Sequence, residues 1–169
     1  SLYTYVLLRV QHWTKAVRED EKKLLESILK AGDKERAAAM KKHTAELAKA
    51  EKRKIEVDRL FAKMYEDRVS ERITEYNFNM LSGKYQTEQA QLDEKIGQLQ
   101  AAIAAESQTV ADAESWIALM KQYVNPTELT AELLNTLIEK ILVHEAVKSE
   151  DGSREQEVEI FYRFIGKIE

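Results

Sequence analysis

The sequence predicts a mainly α protein: a long antiparallel two-helix coiled-coil hairpin carrying a small α+β end piece, a short helix plus a β-hairpin. Three observations predict it. Ala, Glu, Lys, Leu and Arg dominate, 33% of the residues are charged and only 8% are aromatic. That is the usage of paired helices, with too few large rings to fill a broad compact core. From about Tyr5 to Met64 the chain has no proline and a single glycine, Gly32. After about residue 140 the apolar period changes from helical spacing to strict alternation.

The first helix is read from its apolar stripe. Leu47, Ala50, Lys54, Val57, Phe61 and Met64 recur at alternating steps of three and four, which keeps one side of a helix against a partner. Met40 extends the stripe backwards, whereas Arg36 and Asp33 do not. Leu24, Leu25, Ile28 and Leu29 resume on a shifted face, so a register break is expected near Gly32. A second helix is expected to start near Thr74, whose hydroxyl can accept a free first-turn amide. Its stripe is Phe78, Leu81, Tyr85, Leu92, Leu99 and Ala102, widened by Ile96 and Ile103 and continued by Val110, Ala113, Ile117 and Met120. Each helix is read as about 50–60 residues, roughly 75–90 Å at the helical rise.

Between the two stripes, residues 66–72 break the pattern, and a short connection favours antiparallel neighbours. Folding there brings Phe61 to Phe78 or Leu81, Leu47 to Leu92 and Leu29 to Val110. The expected organisation is a hairpin over residues 1–123 with its tip at about 65–74, and an end piece over 124–169 packed on the hairpin base.

In the end piece, Asn125-Pro126 closes the second helix, because proline disfavours helix in the residue before it. Thr130 can cap a short helix that presents Leu133, Leu134, Leu137 and Ile138. Ile141, Val143, Glu145 and Val147 then alternate with their neighbours, Asp151-Gly152 supplies a turn, and Val158, Ile160, Tyr162 and Phe164 alternate on the return. A two-stranded hairpin is unstable alone. It is expected to cover the third helix and the apolar start of the chain, Leu2, Tyr3, Tyr5, Val6, Leu7, Leu8, Val10 and Trp13.

The net charge of −4 conceals an asymmetry. Residues 1–70 carry +5, residues 71–123 carry −4 and residues 124–169 carry −5. A basic first helix can therefore lie on an acidic second one, each exposed pair adding a few tenths of a kcal/mol at most. With no cysteine, disulfides and thiolate zinc sites are excluded within this chain. No apolar run approaches the roughly 20 residues a bilayer span needs, and the apolar start lacks a signal-peptide cleavage pattern. Opening on Ser1 without methionine, the chain reads as a piece of something larger, soluble and cytoplasmic.

No constellation for catalysis stands out. His12, His43 and His144 lie far apart with no metal-protease spacing, and read as surface or packed histidines. The glycines are scattered singly, so no phosphate loop is formed. Ser70 and Ser82 have no histidine at a recognisable spacing. No catalytic, cofactor-binding or metal residue is expected. Two binding candidates remain. Lys49, Lys52, Arg53 and Lys54 form the densest basic cluster, either a phosphate-contacting patch or, as the simpler reading, a solvated face paired with the acidic helix. Tyr65, Val69 and Ile73 are apolar residues at the bend, which either close the last core layer or make a sticky tip that docks another copy.

With the elements in place, a family resemblance emerges. Residues 57–70 (VDRLFAKMYEDRVS) resemble the coiled-coil region of large serine recombinases of the transposon type. Residues 129–145 (LTAELLNTLIEKILVHE) and 158–166 (VEIFYRFIG) are similar to the segment that follows it in those proteins. The likeness runs from about residue 13 to the end, and two separated motifs stand in the family's order and distance. Ser1-Leu2-Tyr3-Thr4 has no evident counterpart. The resemblance implies a parent enzyme that cuts and rejoins DNA through a phosphoserine intermediate and moves a mobile element. Its catalytic domain and zinc ribbon would lie outside this chain, so no catalytic residue or cofactor carries over. What carries over is a non-catalytic arm that touches other recombinase subunits, with a directionality factor as a further candidate partner, to control pairing of DNA sites and direction of recombination. DNA would be reached through the parent, and no membrane is involved. The alternatives are a direct DNA-backbone module and a purely structural dimerising coiled coil.

Overall fold

The structure is a computed structural model and describes residues 1–168. Among the described residues, five helices and five short strands follow in order: α1 (Leu2–Glu19), α2 (Glu21–Leu29), α3 (Asp33–Val69), α4 (Glu75–Met120), α5 (Ala131–Leu137), β1 (Ile138–Val143), β2 (Val147–Lys148), β3 (Arg154–Glu155), β4 (Val158–Tyr162) and β5 (Gly166–Lys167). The protein is mainly α, with long helices packed on each other and a small strand-containing end piece. Two compact units divide it: a core unit of Ser1–Asp33 with Ser107–Glu169, and a hairpin unit of Lys34–Glu106.

In the hairpin unit, α3 and α4 run antiparallel. Ala50, Val57 and Met64 are buried at steps of seven, with Leu99 buried on α4. Leu47, Phe61, Phe78, Leu81, Tyr85, Leu92, Ile96 and Ile103 are half-buried, as two helices alone can leave them. Polar contacts cross between the helices at Arg53–Glu88, Lys54–Asp93 and Gln89–Asp58. These pairs place the fold-back at residues 70–74.

The first expected helix is interrupted twice, not once. The break near Gly32 is present, between the end of α2 and the start of α3. A second break falls at Asp20, which takes an extended conformation (φ −159°, ψ 90°). Its backbone N–H donates to the Ala16 carbonyl and ends α1, while its carboxylate accepts the Lys23 amide at 3.0 Å and starts α2. An aspartate competes with the helical ladder in this way and is favoured at the N-cap. Whereas the sequence reading ran the hairpin over 1–123, the two short helices carry Val6, Val10, Trp13, Val17 and Leu24 into the core unit.

That core joins those residues to Trp116, Ile117 and Met120 of α4, Leu133 and Leu137 of α5, and Ile138, Ile160 and Tyr162 of the sheet. Trp116 stands edge-on to both Trp13 and Tyr162, with ring centroids 6.3 and 5.4 Å away. The Trp13 indole N–H donates to the Tyr162 hydroxyl at 3.1 Å. Burial raises the Tyr162 phenol above its ordinary pKa. The expectation that the whole start of the chain is covered is corrected: Leu2, Tyr3, Tyr5 and Leu8 are exposed. At 3.6 residues per turn only the side bearing Val6, Val10 and Trp13 can face the core.

The second helix ends at Met120, ahead of the proline, and the Gln122 and Tyr123 amides close tight turns onto Leu119 and Met120. The Thr130 hydroxyl accepts the Leu133 amide at 3.1 Å and starts α5. That helix stops at Leu137, so Ile138 belongs to β1 instead. β1 pairs antiparallel with β4 in the register Ile141↔Ile160 and Val143↔Val158, with a bulge between Ile138 and Lys140. β2 and β3 continue the excursion as a separate ladder around Asp151-Gly152, where Gly152 has φ +85°. β5 adds a third strand beside β4, made possible by a turn through Phe164 and Gly166, both at positive φ.

Candidate functional site

The bend between α3 and α4 is built from two caps. The Arg72 amide donates to the Asp67 carbonyl (2.8 Å) and the Glu71 amide to the Arg68 carbonyl (3.1 Å), with Glu71 at φ 60°. This is a Schellman closure, in which a left-handed residue satisfies the last carbonyls of a helix. An apolar contact usually accompanies it; here Arg72 instead reaches the Asp67 carboxylate at 4.0 Å. On the other side, the Thr74 hydroxyl accepts the Asn77 amide at 3.2 Å, as its sequence position implied. Lys63 also binds Asp67 (3.1 Å), and Arg68 reaches Glu75 across the bend (3.9 Å).

Apolar side chains surround this polar frame. Tyr65 is 59% exposed and Val69 67% exposed, so these two do not close a core layer; Ile73 is half-buried in the turn itself. Sequence reasoning missed Tyr76 and Met80, which are 76% and 55% exposed in the first turns of α4. A signal was available. Both lie off the Phe78–Leu81–Tyr85 stripe, so neither has a place between the helices.

The basic cluster is divided by the structure. Arg53 donates to both oxygens of Glu88, at 2.6 and 3.1 Å, and also meets Glu56 at 3.5 Å. The hydrogen bond between them raises the Arg53 pKa and lowers that of Glu88. Lys54 binds Asp93, whose hydrogen bond raises the lysine pKa. Arg53 and Lys54 are thus engaged with the acidic helix, while Lys49 and Lys52 are exposed.

The three histidines occupy separate surroundings. His12 lies edge-on to Trp13, His43 is half-buried on α3, and His144 binds Glu159 at 2.8 Å. Among the described residues no group of three His, Cys, Asp or Glu is placed to hold a metal ion, and no helix is long and apolar enough to cross a membrane. At the bend, exposed apolar side chains are bordered by the charged residues Lys63, Asp67, Arg68, Arg72 and Glu75.

Residues 102–169 match a family described as a domain of unknown function (DUF4368). The match takes in the end of α4, α5 and all five strands, and leaves α1 to α3 outside it. No curated protein and no solved structure matches the chain.

Proposed function

We propose that this chain is a non-catalytic arm of a site-specific DNA recombinase of the serine type, and that it mediates subunit contacts controlling the pairing of DNA sites. The observation that carries the reading is the exposure of Tyr65, Val69, Tyr76 and Met80 around one bend. Large apolar side chains exposed together are a mark of a contact surface. The likeness of residues 57–70 and 129–145 to transposon-type recombinases supplies the context. Weak contacts suit the task, because they can be made and released as strands exchange. Other recombinase subunits are the partners, with a directionality factor as a further candidate; the setting is the cytoplasm.

The test uses the intact recombinase. Val69→Glu and Tyr65→Ala are expected to leave binding to a single DNA site unchanged, read by gel shift, and to reduce pairing of two sites severalfold. Normal pairing and recombination by both variants would remove the bend as the contact surface.

A further inference from the structure

The structure sorts the cations of α3 by the side of the helix they occupy. Beside the seam they are paired, Arg53 with Glu88 and Lys54 with Asp93. On the opposite side they are free. Lys34, Lys41, Lys52 and Arg59 are exposed, and among the described residues none of the four makes an ion pair or a side-chain hydrogen bond.

The helix period explains the sorting. Steps of seven, eleven and seven separate the four residues, and at 3.6 residues per turn these steps return to within about 20° of one line. Lys52 and Arg59 each stand two places after a buried seam residue, Ala50 and Val57, which turns them about 160° away from α4. No acid on α3 is available to them. Three and four places from Lys34 and Lys41 within the helix stand Ala37, Ala38, Thr44 and Ala45. Lys52 and Arg59 share Glu56, which is engaged by Arg53 at 3.5 Å.

From Lys34 to Arg59 the stripe runs about 37 Å at the helical rise, close to the roughly 34–36 Å of one duplex DNA turn. Ala38, Ala45 and Ala48 lie between the cations, and their small side chains let a phosphate chain approach the helix. Within residues 34–59 a single large apolar side chain, Ile55, is exposed. That is too little to hold a helix on a bilayer, which takes a whole apolar face.

We propose that the back of α3 lies along the phosphate backbone of duplex DNA, with Lys34, Lys41, Lys52 and Arg59 each meeting a phosphate and no base being read. Release of counterions drives such a contact and makes it salt-dependent, and the net charge of −4 keeps it weak. Of the basic cluster at 49–54, Arg53 and Lys54 are taken by the acidic helix, and only Lys52 belongs to the stripe. The stripe precedes the bend in the hairpin unit, so it stands whether or not the bend docks a second copy.

The experiment is a fluorescence-anisotropy titration of a labelled duplex of mixed sequence with the full chain, from about 50 to 200 mM salt and up to about 100 μM protein. Four phosphate contacts give a salt slope of about −3.6, so affinity is expected to fall on the order of 100-fold across that range. Lys41→Gln combined with Lys52→Gln is expected to halve the slope and weaken binding at low salt about tenfold or more. Lys84→Gln combined with Lys95→Gln removes the same charge from exposed positions on α4, and is expected to change binding about twofold at most. The absence of binding at the lowest salt, or equal losses in the two double variants, would overturn the proposal. So would phosphatidylserine vesicles or polyglutamate bound as tightly as the duplex, which would assign the stripe to a lipid surface or an acidic protein.

Discussion

At the scale of single residues, the two tryptophans make the sharpest contrast. Both are buried in the same cluster, yet the Trp13 N–H donates to Tyr162 while the Trp116 N–H has no partner among the described residues. A satisfied buried hydrogen bond contributes about 0.5–1.5 kcal/mol, and an unsatisfied buried donor costs about 1–3 kcal/mol. Replacement by phenylalanine removes volume from both sites but acts on the polar group in opposite senses. Trp13→Phe deletes a made bond and leaves Arg9 as a remaining partner of the Tyr162 hydroxyl; Trp116→Phe deletes a donor without a partner among the described residues. Urea titrations are expected to show Trp13→Phe losing about 2–3 kcal/mol. Trp116→Phe is expected to lose less, by about 1 kcal/mol or more. Equal losses would mean that the indole of Trp116 does more than pack. Neither role was legible in the sequence, which placed Trp13 in an apolar run and had no means of bringing residues 13, 116 and 162 together.

At the scale of elements, one carboxylate ties three strands. Glu159 on β4 accepts from Lys167 on β5 at 2.6 Å and from His144, just beyond β1, at 2.8 Å. The hydrogen bond from Lys167, and then that from His144, holds its pKa below the ordinary glutamate value. A carboxylate depressed in the folded state stabilises the fold above its unfolded pKa, and that contribution disappears as pH falls through the folded one. Glu159→Gln is therefore expected to flatten the fall in thermal midpoint across the acid range, with little change in slope above pH 6. An unaltered acid profile would show that the carboxylate does not tie the sheet. The elements themselves were legible where period and cap agreed: the stripe from Leu47 to Met64, the Thr74 and Thr130 caps, and the alternation around Ile160. They were misread where one side chain redirected the backbone. Asp20 divides a helix inside a charged run whose periodicity gives no warning, and β5 depends on Phe164 tolerating positive φ, which no pattern announces.

At the scale of the whole molecule, the two units bury their apolar side chains differently. The hairpin unit has few fully buried side chains and exposes Ile55 along α3 and Tyr65, Val69, Tyr76 and Met80 near the bend, whereas the core unit joins segments far apart in sequence around Trp116. The candidate bend was half legible. Tyr65 and Val69 could be picked from the sequence as apolar residues at a break, but whether they face inward depends on where the Schellman closure turns the chain. The basic cluster left two readings open, a phosphate patch and a face paired with the acidic helix, and the fold gives Arg53 and Lys54 to Glu88 and Asp93.

Docking of a second copy at the bend is tested most directly by sedimentation equilibrium of the isolated chain. A contact worth about 4 kcal/mol is half-populated near 1 mM. Apparent mass should therefore rise with loading concentration towards about 1 mM for the wild-type chain, and stay at the monomer value of 19.5 kDa for Val69→Glu. A wild-type chain that remains monomeric throughout, or a variant that associates equally well, would contradict it.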